Sequence, residues 1–180
     1  MLERVVDFAR KLMSPRQRRR PFPDREHRPP SAADERRARA ASRDYARWAK
    51  RLELVHAPAE RGYRGRVAGR AVVVRAGLDG SAPIGAEAEI AIDHDEPATF
   101  LVTPQQRSDA RAKSDLADAV APLFDEPALD ALRSLAIVRG GVRLRFAPLT
   151  DPEVVQAAID RVVVAIEDRL RARLRGDPYR

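Results

Sequence analysis

Around Leu54 the spacing of apolar residues changes, and this change constrains the fold more than any other feature of the chain. Before it, apolar side chains recur about every 3.6 residues, as on one face of an α-helix. After it, apolar and polar residues alternate over short runs, as in half-buried strands. The chain is therefore predicted to be α+β, with a helical N-terminal arm and a strand-rich domain over residues 54–176.

Two short turn sequences predict β-hairpins in this domain. Ala68-Gly69 and Gly140-Gly141 each lie between runs of alternating residues, and Gly supplies the backbone freedom that tight hairpin turns require. The predicted strands cover residues 64–67, 70–76, 86–92, 99–103, 137–139 and 142–146. Short connections between successive strands favour a mostly antiparallel sheet of about six strands.

Two short helices are predicted between these strands. Ser114 is a typical N-cap for a helix that runs to about Ala121. Pro127 suits a first helical position, and it is predicted to open a second helix that continues through Leu135.

The longest helix is predicted at the C-terminal end of the domain. Thr150 or Asp151 caps it, Pro152 stands in its first turn, and Gly176 follows its last apolar position. Its apolar residues are numerous enough for the helix to pack along one face of a sheet. The sheet is therefore expected to carry its helices on one face and to expose the other to water.

The N-terminal arm is predicted to have three parts. Residues 1–13 carry a short amphipathic helix over 2–13, and residues 14–30 form a flexible linker rich in proline and arginine with little to bury. Residues 31–52 form a basic amphipathic helix, with Ser31 as its N-cap.

Positive charge collects in this arm. Residues 1–50 hold 15 Lys and Arg against 7 Asp and Glu, whereas residues 51–180 hold 19 against 20. The abundance of Ala, Arg, Val and Pro is what GC-rich coding produces, so arginine content alone says little. Coding bias does not explain why the excess lies at one end, and the arm is predicted to meet an anionic partner.

The candidate contacts to that partner lie in the linker and on one stripe of the basic helix. Tyr45 and Trp48 lie on the opposite face and are predicted to dock on the domain. A solvated stripe without a partner is the competing interpretation. The candidate residues are Arg16, Arg18, Arg19, Arg20, Arg36, Arg39, Arg43, Arg47 and Lys50.

Charged residues also alternate along the predicted strands. The two interpretations are a basic platform for nucleic acid and a balanced ladder of cross-strand ion pairs, and the near-neutral charge of the domain favours the ladder. The residues concerned are Arg64, Arg66, Glu87, Glu89, Arg143 and Arg145.

Several classes of chemistry find no support in the chain. It has no cysteine, which excludes disulfides, thiolate zinc sites and a cysteine nucleophile. It also lacks the signatures of nucleophile elbows, P-loops, HExxH zinc helices and dinucleotide-binding loops, so no catalytic residue, metal or cofactor is predicted. Residues 93–96 combine a histidine with three carboxylates, but the following Pro97 indicates a turn, in which consecutive side chains diverge.

Three hypotheses of function follow from these observations. The first is a non-enzymatic binding module whose arm contacts nucleic acid or an acidic protein. The second is peripheral membrane association through residues 2–20. The third is a small-ligand or enzyme domain with a pocket between the sheet and the C-terminal helix. No run of about 18 apolar residues occurs, and a cytoplasmic location is expected.

Overall fold

The structure is a computed structural model that describes residues 32–76, 78–79, 82–83, 85–96, 99–104 and 114–176. The predicted helix over 2–13, the linker over 14–30 and the cap at Ser31 lie outside these residues. The basic helix is present as α1, Ala32–Arg51.

The domain is built on a seven-stranded sheet in which every neighbouring pair of strands is antiparallel. Its strands are β1 (Val55–Ala57), β2 (Gly62–Val67), β3 (Arg70–Arg75), β6 (Gly85–Ala91), β7 (Phe100–Val102), β8 (Leu132–Val138) and β9 (Gly141–Pro148). Their order across the sheet is β1-β2-β3-β6-β9-β8-β7. Between β3 and β6 the chain forms a separate two-stranded sheet, β4 (Leu78–Asp79) and β5 (Ala82–Pro83).

Both predicted hairpins are present, one of them shifted by one residue. β2 and β3 are joined through Ala68-Gly69, whose φ angles of 51° and 75° suit a two-residue hairpin turn. The second turn is Arg139-Gly140, because Gly141 already pairs with Val138 as the first residue of β9. The prediction placed this turn at Gly140-Gly141.

Two further helices complete the domain, α2 (Asp115–Val120) and α3 (Pro152–Leu174). The predicted caps are confirmed: Ser114 Oγ accepts a hydrogen bond from the Ala117 amide at 3.2 Å, and Asp151 Oδ1 accepts one from the Glu153 amide at 2.8 Å. Each satisfies an amide that the first helical turn leaves without an intrahelical partner.

The prediction of a helix from Pro127 through Leu135 is wrong. A single 3₁₀ turn covers Pro127–Leu129, and β8 begins at Leu132. Pairing with β7 on one side and β9 on the other holds this segment extended. Leu135 and Ile137 are fully buried on the same face, so sheet pairing and burial override the local helix-start signal.

The core lies between one face of the sheet and α3. The contributing side chains of α3 are fully buried, as are those of the central strands that face them. Apolar burial of this kind, at about 25 cal/mol per Å², is the main force that holds the helix to the sheet. These residues are Val155, Ala158, Ile159, Val162 and Ile166 on α3, and Val74, Ala88, Leu135 and Leu144 on the sheet.

Candidate functional site: the cationic face of helix α1

One face of α1 is fixed to the domain by two aromatic side chains. The Tyr45 hydroxyl donates a hydrogen bond to the Thr150 carbonyl oxygen at 3.0 Å, and Trp48 Nε1 donates to Gln156 Oε1 at 3.0 Å. The two rings meet edge to face with centroids 6.0 Å apart. Both side chains belong to the hydrophobic core, so α1 is docked at the start of α3 rather than free in solution.

Burial also fixes the protonation state of the tyrosine. Removal from water, with a smaller contribution from the negative charge of Asp151, raises the pKa of the Tyr45 phenol well above its ordinary range. The hydroxyl therefore stays protonated and keeps donating to Thr150 throughout the physiological pH range.

The opposite face of α1 is an exposed cationic stripe, and the structure places all five predicted members of this helix on it. Two of them have weak partners on the same helix: Arg39 lies 3.3 Å from Glu35, and Arg47 lies 3.7 Å from Asp44. Exposed pairs of this kind contribute about 0.3–0.5 kcal/mol and are screened by salt. The five residues are Arg36, Arg39, Arg43, Arg47 and Lys50.

Of the other cations of this helix, Arg51 in the last turn pairs with Glu153 on α3, and the rest keep their charge unneutralised. Among the described residues, no carboxylate lies within 4.0 Å of Arg36, Arg37, Arg43 or Lys50. From Arg36 to Lys50 the stripe extends about 21 Å along the helix axis, at about 1.5 Å per residue. Periodicity alone predicts the stripe, but the absence of neighbouring carboxylates depends on the fold.

The open face of the sheet is the face opposite α3. Its cations differ from those of the stripe, because carboxylates on neighbouring strands neutralise them. Glu89 is shared by Arg75 at 3.0 Å and Arg143 at 2.9 Å, and Glu87 pairs with Arg145 at 2.8 Å. The hydrogen bond from Arg75 leads the interactions that lower the pKa of Glu89. The predicted ion-pair ladder is confirmed at these strands.

The two remaining arginines of the predicted ladder lie on β2, toward the edge of the sheet. Arg64 lies 3.4 Å from Glu60, a carboxylate of the preceding turn rather than of a neighbouring strand. Arg66 is exposed and has no ion pair within the described part of the chain. The ladder is thus balanced at its centre and leaves positive charge near β2.

A second charged cluster forms where α3 approaches α2 and the segment after β6. Arg173 binds Asp95 at 2.6 Å, Glu96 at 2.6 Å and, through its Nε, Asp115 at 2.9 Å, and Arg169 also reaches Asp115 at 2.9 Å. The hydrogen bond from Arg173 is the main cause of the lowered pKa of Asp115. This cluster ties three segments of the chain together and was not predicted, because its members are far apart in the sequence.

The histidine of this segment is engaged with the backbone. His94 Nε2 lies 3.2 Å from the Gly141 carbonyl oxygen, and its Nδ1 accepts a hydrogen bond from the Glu96 amide at 3.3 Å. His56 instead packs on the Tyr63 ring, with centroids 5.5 Å apart. Within the described ranges, no group of three or more His, Asp and Glu side chains is arranged to hold a metal ion.

The interface between α3 and the sheet is filled by apolar side chains. Among the described residues, Ser114 and Thr150 are the polar ones buried as whole residues, and each bonds locally: Ser114 caps α2, and the Thr150 hydroxyl donates to the Ala147 carbonyl at 2.6 Å. Neither points a free polar group into this interface.

The candidate residues of the linker, Arg16, Arg18, Arg19 and Arg20, lie outside the described residues. Comparisons with family models, with curated proteins and with solved structures find no match for this chain. Of the helices the structure describes, none is both long and apolar enough to span a membrane. The architecture defines the class of protein: an α+β domain with an antiparallel sheet, a long C-terminal helix and a docked basic helix.

Proposed function

We propose that this protein is a non-enzymatic binding module whose basic N-terminal arm contacts an anionic partner, either a nucleic acid or an acidic protein. The observation that supports the proposal is the two-sided character of α1. One face is buried against α3 through Tyr45 and Trp48. The other presents exposed cations, of which Arg36, Arg43 and Lys50 have no carboxylate partner among the described residues.

An unpaired guanidinium on such a face is available for binding at low cost. Arg36 and Arg43 have no ion pair to break among the described residues. Each planar guanidinium group can donate two parallel hydrogen bonds to two oxygens of one phosphate or carboxylate. Binding a polyanion would also release the counterions condensed on it, which makes affinity fall steeply with salt.

The rigid attachment of α1 supports the same function. The backbone of a docked helix is already ordered, so binding through it avoids much of the conformational entropy that a disordered basic segment loses. Arg36, Arg43 and Lys50 follow one another at intervals of seven residues, about 10.5 Å, along one side of the helix. This spacing favours an extended anionic surface over a single small anion.

The packing of the domain weighs against a ligand pocket between the sheet and α3. Apolar side chains fill that interface, and its buried polar groups bond locally. Membrane association through residues 2–20 concerns a segment outside the described residues, and anionic vesicles therefore serve as one arm of the test.

The test compares the full chain with a charge-reversed variant, Arg36→Glu/Arg43→Glu/Lys50→Glu. The matched control reverses three other exposed cations that have no ion pair among the described residues, Arg61→Glu/Arg133→Glu/Arg175→Glu, so that both proteins carry the same net charge. Binding is measured by fluorescence anisotropy for duplex DNA, single-stranded RNA and poly-glutamate, and by cosedimentation for phosphatidylserine vesicles.

We expect the α1 variant to lose at least about tenfold in affinity for one polyanion, while the control loses much less. The polyanion for which affinity falls identifies the chemical class of the partner. Equal losses in the two variants would mean that binding follows net charge alone, and the proposal would fail. Vesicle binding that is unchanged in the α1 variant, with no binding to the other polyanions, would favour the membrane hypothesis.

A further inference from the structure

The open face of the sheet, opposite α3, is a second surface with unusual composition. It is remote from the stripe on α1, because α1 bonds to α3 through Trp48 and Gln156, and α3 lies on the covered face. In a two-layer domain such a face meets water and is expected to be mostly polar. Here a large share of its side chains are apolar.

On this face a shallow apolar groove of about 320 Å³ crosses β3, β6 and β9 and ends at Val138 of β8. Its floor consists of the short side chains of Ala71, Val73, Ala91 and Val138, which are exposed or only half-buried. Longer arginine side chains stand around it. The apolar surface therefore lies below a charged rim.

The rim of the groove carries more positive than negative charge. Arg64, Arg139 and Arg143 line it together with Glu89, and Arg66 stands beside it, directly opposite Ala71 in the sheet register. The single carboxylate is already shared by two arginines. Arg66 and Arg139 are exposed and have no ion pair within the described ranges.

Large apolar side chains extend the surface to both edges of the sheet. Val55 on β1 is 66% exposed and stands opposite Arg64, whereas Leu101 on β7 is 56% exposed and stands opposite Ala136. Directly opposed residues of antiparallel strands point to the same face. Both side chains therefore lie on the open face, one at each edge of the sheet and outside the lining of the groove.

We propose that the open face binds a protein segment that combines apolar side chains with carboxylates, such as an acidic amphipathic helix. Protruding apolar side chains of the partner would fill the recessed floor, and its carboxylates would meet Arg66 and Arg139 on the rim. The partner is defined by this complementarity of charge and shape.

Three other occupants fit this face less well. A second copy of the chain, bound face to face, would bring two positive rims together. Single-stranded nucleic acid binds through exposed aromatic side chains, and the register of the described strands places Tyr63, Phe100 and Phe146 on the covered face. A planar membrane does not fit a recessed floor of alanine and valine, because interfacial binding uses protruding apolar groups.

The test is an NMR titration of the ¹⁵N-labelled full chain with a synthetic amphipathic peptide that has leucines on one face and glutamates beside them. Two matched peptides serve as controls, one with leucine replaced by serine and one with glutamate replaced by lysine. We expect saturable shifts in amides of β2, β3, β6 and β9 with the first peptide, and weak or no shifts with the controls.

The matching protein variant is Arg66→Glu/Arg139→Glu, whose residues make no ion pair among the described residues, so that folding is preserved. We expect it to lower the affinity for the acidic peptide about tenfold, whereas Arg133→Glu/Arg175→Glu, with the same change of charge, lowers it by less than about threefold.

Three results would overturn this proposal: no saturable shifts, shifts confined to α1, or equal binding of the serine peptide. A fourth concerns the variant Arg66→Glu/Arg139→Glu. If it lost binding to phosphatidylserine vesicles but kept its affinity for the acidic peptide, the open face would be assigned to a membrane. Failure of the proposal for α1 is distinguishable, because Arg36→Glu/Arg43→Glu/Lys50→Glu leaves this face unchanged and is expected to bind the peptide normally.

Discussion

The indole nitrogen of Trp48 on α1 donates a hydrogen bond to Gln156 on α3, a residue 108 positions further along the chain. Trp48 is only 2% exposed, and it packs in the same core as the sheet. The basic helix is thus part of the folded domain as well as the carrier of the cationic stripe. Removing it would expose core side chains, so its role in binding is better tested by exchanging surface charges than by truncation.

Replacing Trp48 should destabilise the whole domain. Trp48→Ala leaves a large cavity and is expected to lower the free energy of unfolding by about 3–5 kcal/mol. Trp48→Phe keeps most of the apolar volume but removes the donor to Gln156, and its cost should be smaller, about 1–3 kcal/mol. Urea unfolding followed by circular dichroism measures both. A loss below about 1 kcal/mol in Trp48→Ala would mean that α1 is not part of the cooperative unit.

Arg173 should contribute to stability because it neutralises a buried carboxylate. Glu96 is only 8% exposed, and Arg173→Gln would leave it without this charged partner. We expect the free energy of unfolding at pH 7 to fall by about 1–3 kcal/mol. The control is Asp95→Asn: Asp95 is 86% exposed, so its pair with Arg173 should be worth no more than about 0.5 kcal/mol.

Arg173→Gln should also change how the free energy of unfolding depends on pH. Arg173 lowers the pKa of Asp115 in the folded protein, so the unfolded chain binds a proton at higher pH than the folded one. The resulting stabilisation is present above the ordinary aspartate pKa of about 3.9 and is lost as the pH falls through the lower folded pKa. In Arg173→Gln this loss should be smaller. Urea titrations across the acidic range would contradict the account if the two proteins lost stability in parallel.

Much of this fold follows from local patterns. Alternation and turn residues predict β2, β3, β6 and β9, because each of these strands has a buried and an exposed face. Capping residues predict α2 and α3 for an equally local reason. Local signals wrongly predict a helix along part of β8, because strand pairing, which no local pattern records, decides its conformation.

The candidate site was only partly predictable for the same reason. The stripe from Arg36 to Lys50 repeats at helical spacing and can be read from the sequence. The neutralisation of Arg143 by Glu89, or of Arg173 by Glu96, joins residues 54 and 77 positions apart and depends on the completed fold. Which cations stay unpaired therefore becomes visible only in the structure.

Breaking the ion-pair ladder on the open face should lower the free energy of unfolding in proportion to the number of pairs removed. Glu89→Gln breaks the pairs with Arg75 and Arg143, and we expect a loss of about 0.5–2 kcal/mol in the free energy of unfolding. Glu87→Gln breaks only the pair with Arg145 and should cost about half as much. Both effects should shrink at high salt, since these pairs are partly exposed. Equal costs for the two variants, measured by urea unfolding, would argue against sharing of Glu89.

Gly141 should not tolerate even alanine. A methyl group there would overlap the carbonyl oxygen of Ile90, where β6 pairs with β9 near the centre of the sheet. We expect Gly141→Ala to cost more than about 2 kcal/mol. Gly69→Ala has open space around the new methyl and is opposed only by its φ of 75°, with an expected cost of about 1 kcal/mol. Thermal unfolding that ranked the two in the opposite order would contradict the register of β6 and β9.

The salt dependence of binding tests the central claim most directly. The experiment measures the affinity of three proteins for a duplex DNA fragment, used as a general polyanion, over a series of salt concentrations. The proteins are the full chain, the α1 variant Arg36→Glu/Arg43→Glu/Lys50→Glu and the control Arg61→Glu/Arg133→Glu/Arg175→Glu. We predict that the slope of log K against log salt is reduced by about three in the α1 variant and by less than one in the control. The same slope in both variants would show that α1 is not the binding surface.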